Sequence, residues 1–157
     1  MKPKLYLETT VPSYLASRPS PILVVAGHQQ ITKEWWMKQR HAFDIYISQF
    51  VLDEVRTGDP EAARERMLAV KDLPVLDITP EVGALASRIL ATGIIPRKAA
   101  RDAAHIAIAA VHELDFLVTW NCKHIANAII ARRVASICRQ SGFQCPVICT
   151  PEELMGE

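Results

Sequence analysis

Three acidic residues, widely separated along the chain, each interrupt or border an apolar run. Glu8 closes Lys4-Leu5-Tyr6-Leu7, Glu54 lies in Phe50-Val51-Leu52-Asp53-Glu54-Val55, and Asp102 opens Asp102-Ala103-Ala104-His105-Ile106-Ala107. Desolvating an unpaired carboxylate is costly, so acids beside core-facing segments need a partner. A shared divalent cation is one such partner. Mg²⁺ is hard and octahedral, keeps several waters and needs only a few carboxylate ligands. Held there, it lowers the pKa of a bound water and stabilises developing negative charge. The plainer alternative for each acid is a helix cap or a surface group. Asp102 also suits the first turn of a helix, where the dipole favours an anion by about 0.3–1 kcal/mol.

Arg97, Lys98 and Arg101 cluster just before Asp102. Three cations there are placed to hold phosphates of a nucleic acid, and equally resemble a solvated helix start. A cationic helix start opposes the helix dipole, which favours the functional reading. Cys122, Cys138, Cys145 and Cys149 form no Cys-x-x-Cys pair. That pattern argues against a structural zinc site and for reduced thiols.

These groups must be positioned by a chain of 157 residues, enough for a single domain, 1–157, with a real core. Hydrophobic residues make up 50% and charged residues 22%, which places it among globular chains. With a formal charge of +1, any RNA contact must come from a local basic patch rather than the field of the whole molecule. No signal peptide or membrane-spanning run is visible, so no membrane partner is expected and the cytoplasm is the expected compartment.

Short β-type runs alternate with helical ones, which predicts an α/β chain with a parallel sheet. The expected strands are Lys4–Leu7, Ile45–Ile47, Phe116–Thr119 and Pro146–Ile148, with Val75–Ile78 a short strand or extended link. Pro12 suits an early helical position, with Thr10 nearby as a cap. Ile22–Arg40 reads as one or two helices, with Trp35 and Trp36 in the core or on a partner surface. Ser48 is placed to cap the helix carrying Glu54. Asp59-Pro60-Glu61 and Thr79-Pro80-Glu81 each combine a cap, a first-position Pro and an early acid, and Thr150-Pro151-Glu152-Glu153 forms a capping box. A helix from about Arg101 to Glu113 is narrowed by Ala103, Ala104, Ala107, Ala109 and Ala110, so it can pack closely on the sheet. Ile125–Gln140 is a further helix, with Gly142 as its C-cap.

The segments Tyr6-Leu7-Glu8-Thr9-Thr10-Val11, Val51-Leu52-Asp53-Glu54-Val55, Arg101-Asp102-Ala103-Ala104-His105-Ile106-Ala107 and Leu117-Val118-Thr119-Trp120-Asn121-Cys122-Lys123-His124-Ile125 resemble, in order, the motifs of the PIN-domain family. The resemblance covers about residues 4–150 and is similar to VapC toxins of bacterial toxin–antitoxin pairs. It implies a three-layer α/β/α fold: a central parallel sheet flanked by helices, with acids at the carboxyl ends of the strands. It also implies a metal-dependent endoribonuclease that hydrolyses RNA phosphodiesters with Mg²⁺ or Mn²⁺. Glu8, Glu54 and Asp102 would be both metal ligands and catalytic acids, with a small antitoxin as a possible partner. The chain departs from the pattern at Glu8, where Asp is usual, and at Asn121, where the fourth acid is usual.

Within this reading Thr10 and Asn121 stand beside the metal ligands and position water, and Arg97, Lys98 and Arg101 bind RNA. Asn121 equally suits a helix cap. His105, three residues after Asp102, reads as a hydrogen-bonded core histidine rather than a general base. Long apolar helices and the paired tryptophans suggest a homodimer. The alternative function is a weakly active or inactive PIN-like module that binds RNA or protein. An unrelated phosphatase or nucleotide-binding enzyme is disfavoured, because no Gly-rich phosphate loop or Gly-x-Ser-x-Gly elbow occurs.

Overall fold

Leu5, Tyr6 and Leu7 are all fully buried, which a strand achieves only when both of its faces are covered. In the computed structural model, which describes residues 1–156, this strand is β1 (Lys4–Leu7). It is the middle member of a five-stranded sheet. The others are β2 (Asp44–Ser48), β3 (Val75–Leu76), β4 (Phe116–Val118) and β5 (Val147–Cys149). Their order is β3-β2-β1-β4-β5, and every pairing is parallel. Tyr6 sits opposite Tyr46 on one side and Leu117 on the other.

Parallel strands need crossovers, and helices supply them. These are α1 (Thr10–Ala16), α2 (Leu23–Gln39), α3 (Gln49–Val55), α4 (Pro60–Val70), α5 (Pro80–Ala91), α6 (Ala100–Val111) and α7 (Ala128–Gln140). Helices α1, α2 and α4 pack together, as do α5, α6 and α7, while α3 touches α4 and α6. The result is the expected three-layer α/β/α arrangement. The alanines of α6 serve as anticipated: Ala103, Ala107, Ala109 and Ala110 are fully buried beside Ile106 and Ile108. No helix among the described residues is long and apolar enough to cross a membrane.

Several local expectations change on contact with the tertiary structure. The segment Ile22–Arg40 forms one helix, α2, followed by a short 3₁₀ turn at Arg40–Ala42. Trp35 is fully buried and Trp36 half-buried beneath the Arg40 guanidinium, so the pair is not an exposed surface. Ser48 does occupy the N-cap position of α3, but its hydroxyl bonds Tyr6 Oη at 2.7 Å instead of capping. Helix α7 begins at Ala128, later than expected, because Asn127 caps it by accepting from the Ile129 and Ile130 N–H groups. The Thr150–Glu153 capping box opens a 3₁₀ turn, Pro151–Leu154.

Two helix ends share one motif. In α7 the Phe143 N–H reaches Cys138 O at 2.9 Å across Gly142, whose φ is +87°. In α6 the Leu114 N–H reaches Ala109 O at 3.0 Å across Glu113, whose φ is +58°. Both are Schellman closures, which favour glycine at the left-handed position.

Candidate metal and phosphate site

A parallel sheet brings the carboxyl ends of all its strands to one edge, where open α/β sheets place their sites. Glu8 follows the last residue of β1, Ser48 ends β2 just before the helix of Glu54, and Thr119 follows β4. Asp102 occupies the first turn of α6.

Glu8 is buried, and its Oε1 accepts from the Thr119 hydroxyl at 2.6 Å, from the Thr10 hydroxyl and from the Thr10 N–H at 3.1 Å. Each threonine spends its proton on Glu8 and receives a main-chain N–H from the loop after β4. Trp120 N–H donates to Thr10 at 2.8 Å, and Asn121 N–H donates to Thr119 at 2.9 Å. The hydroxyls thereby tie the ends of β1 and β4 together through the carboxylate. Thr10 is thus not a helix cap. It is the first residue of α1, and its side chain faces Glu8.

Glu54 Oε1 accepts from the Thr9 hydroxyl at 2.7 Å and from His105 Nε2 at 2.6 Å. His105 is the fully buried, hydrogen-bonded histidine anticipated, but one of its partners is Glu54, a candidate site acid. Its Nδ1 meets Tyr6 Oη at 2.6 Å. Burial pushes the Glu54 pKa up, yet hydrogen bonds from His105 and Thr9 and the attraction of His105 and Arg101 outweigh it and hold the group below its ordinary value. For Tyr6 burial dominates, and the charges of Glu8 and Glu54 add to it, so its phenol is held well above the usual range despite the bond to Ser48.

Asp102 Oδ2 receives His124 Nδ1 at 2.9 Å. In all three acids the hydrogen-bonded oxygen is one of the pair; the other accepts no hydrogen bond among the described residues. Oxygen-only donors of this kind suit a hard divalent cation, and hydrogen-bonded carboxylates are the usual way such ligands are oriented. As the side chains stand, however, no three Asp, Glu, His or Cys residues among those described are gathered closely enough to hold an ion.

Among the described residues the Asn121 side chain caps no helix, and α7 is capped by Asn127. Its Oδ1 accepts the His124 N–H at 3.0 Å and closes a turn within the loop. Arg97 and Lys98 lie in a 3₁₀ turn and Arg101 in the first turn of α6. All three are exposed and none forms an ion pair among the described residues. Sequence reasoning did not single out Thr9, Thr119 or His124 as site residues. All three lie inside the segments Tyr6–Val11 and Leu117–Ile125 that carry the resemblance, but no role was read for them.

No protein-family model matches the chain, and none of the curated proteins does. Among solved structures it is similar to the crystal structure of FitAcB from Neisseria gonorrhoeae, with a TM-score of 0.56 and 18% identity. That likeness covers 94% of this chain and 97% of the other. At this identity what the two share is the fold, a PIN-like α/β/α sandwich around a parallel sheet.

Proposed function

We propose that the chain is a metal-dependent endoribonuclease, the toxin half of a toxin–antitoxin pair, with Mg²⁺ or Mn²⁺ held by Glu8, Glu54 and Asp102. One observation carries this reading. Three acids on separate elements come to the carboxyl edge of one sheet, each with one oxygen fixed by protein donors and the other accepting no hydrogen bond among the described residues. When bound, the cation would supply an activated water and offset the charge growing on the phosphate. The remaining work falls to the chain. Thr10 and Thr119 orient Glu8, Thr9 and His105 orient Glu54, and the exposed Arg97, Lys98 and Arg101 take RNA phosphates.

The proposed partners are an RNA substrate, a small antitoxin protein and a second copy of this chain. Ile22, Leu23 and Val24 at the start of α2 are exposed by 62%, 87% and 67%, which supports association through apolar surface. A second reading is a PIN-like module that binds RNA or protein without efficient cleavage. The observation favouring it is the absence of a gathered three-ligand cluster among the described residues.

The deciding experiment incubates the purified chain with single-stranded RNA in Mn²⁺, in Mg²⁺ and in EDTA. Cleavage is expected with either ion and not with the chelator. RNA binding without cleavage in both ions would install the second reading.

A further inference from the structure

In the resembled motif position 121 carries an acid; here Asn121 is consumed inside its own loop. Its Oδ1 accepts the His124 N–H at 3.0 Å, and its main-chain oxygen accepts the N–H groups of Ile125 at 3.2 Å and Ala126 at 2.7 Å. The turn fixes the backbone from which the His124 ring projects. That ring lies against Asp102, Nδ1 to Oδ2, at 2.9 Å, with only 16% of the histidine side chain and 19% of the aspartate exposed. An ionised carboxylate only accepts, so Nδ1 is the donor. Among the described residues this is the hydrogen bond that fixes the Asp102 carboxylate; it occupies Oδ2, and Oδ1 accepts none.

We propose that His124 is the positioning residue for Asp102, so that the loop after β4 serves the site through the ring at 124 rather than through the side chain at 121. A charge-assisted bond to a ring held by a separate loop removes the rotational freedom of a short acid. Asn121 acts one step further back, by shaping the turn that carries the ring. The inference rests on the proposed reading of Asp102 as a metal ligand.

The test uses the full chain and two readouts: Mn²⁺ affinity by calorimetry and the steady-state constants of RNA cleavage. Losing a partner that orients a ligand typically lowers metal affinity about 10–100-fold. His124→Ala should do so and lower kcat with KM little changed. The two isosteric variants separate the ring atoms. The amide nitrogen of Asn falls near the place of Nδ1, that of Gln near Nε2. His124→Asn should therefore restore most of the affinity and His124→Gln should not. If Gln rescues and Asn does not, the working atom is Nε2 and the proposal is overturned. Wild-type affinity and kcat in His124→Ala would also overturn it. Should the Ala variant fail to fold, the comparison of Asn with Gln decides alone. A wild-type chain that neither binds Mn²⁺ nor cleaves RNA would instead remove the metal-nuclease reading, and this inference with it.

Discussion

The Nε2 of His105 lies 2.6 Å from Oε1 of Glu54, joining a fully buried ring to an acid at the open edge of the sheet. With Glu54 ionised, Nε2 carries the proton and donates. Nδ1 of the same ring lies 2.6 Å from Tyr6 Oη, and the phenol stays protonated because burial holds its pKa well above the usual range. Ser48 completes the chain at 2.7 Å from Tyr6 Oη. Four residues from β1, β2, α3 and α6 are thus joined in one hydrogen-bonded chain.

The Glu54 end of this chain has a pH signature. Its pKa is lowered in the folded chain, so it contributes stability that is fully present above the unfolded value, ordinarily about 4.3, and lost as pH falls through the folded value. The stability gap between wild type and Glu54→Gln should therefore be widest near neutral pH and narrow on acidification through the carboxylate range. Urea melts at a series of pH values measure it. A gap that widens on acidification would mean that burial, not the His105 and Thr9 bonds, controls this group.

Much of the fold was legible because its signals are local. Leu5 to Leu7 and Phe116 to Val118 are apolar runs with polar boundaries, and they became β1 and β4. The three acids were legible for the same reason, as charges inside such runs. What holds them was not. Thr119 meets Glu8 across 111 residues of sequence, His105 meets Tyr6 across 99, and neither contact leaves a local pattern. Ser48 misled in the opposite direction. Its cap signal was genuine, but a buried phenol in contact distance competed for the hydroxyl and won.

Asp102→Asn removes one charge from the proposed ligand set; its amide oxygen keeps the bond from His124, which leaves the NH2 group in the place of the second carboxylate oxygen. RNA cleavage should fall by on the order of 10²-fold or more, about 2.7 kcal/mol in the barrier. The folded state should survive, since Asp102 is partly exposed and the shape is unchanged. Unaltered cleavage in a folded variant would count against the whole mechanism.

The cations beside this acid are tested by salt. Arg97, Lys98 and Arg101 are exposed and form no ion pair among the described residues, so they are available to phosphates. Replacing all three by Ala should weaken RNA binding and flatten its salt dependence by about 0.7 of a log–log unit per lost contact on a single strand. An unchanged slope, measured by fluorescence anisotropy across a salt series, would make them ordinary surface.

Glu113 offers a prediction independent of function. It closes α6 at φ +58°, the role that Gly142 fills in α7 at φ +87°. A side chain in the left-handed region costs about 1–2 kcal/mol, part of which glycine gives back through the freedom of the unfolded chain. Glu113→Gly should therefore raise stability by about 0.5–1 kcal/mol, visible as a higher Tm. A lower Tm would show that the Glu113 side chain makes stabilising contacts that outweigh its backbone strain.

Asn121 separates the roles of charge and of shape in the loop after β4. Its Oδ1 accepts the His124 N–H at 3.0 Å, and a carboxylate can accept the same bond. Asn121→Asp should therefore keep the turn and with it the contact of His124 with Asp102. The added anion stabilises a nearby cation, so Mn²⁺ binding should tighten. In the metal-free protein the same anion repels the other acids, and some stability should be lost at neutral pH. Asn121→Ala removes the acceptor instead. By analogy with lost caps it should cost about 1 kcal/mol, and it should weaken Mn²⁺ binding by loosening His124. Calorimetric titration of the two variants beside wild type distinguishes the effects. Equal affinity in Asn121→Asp would place the residue outside the field of the metal and leave it a purely local turn former.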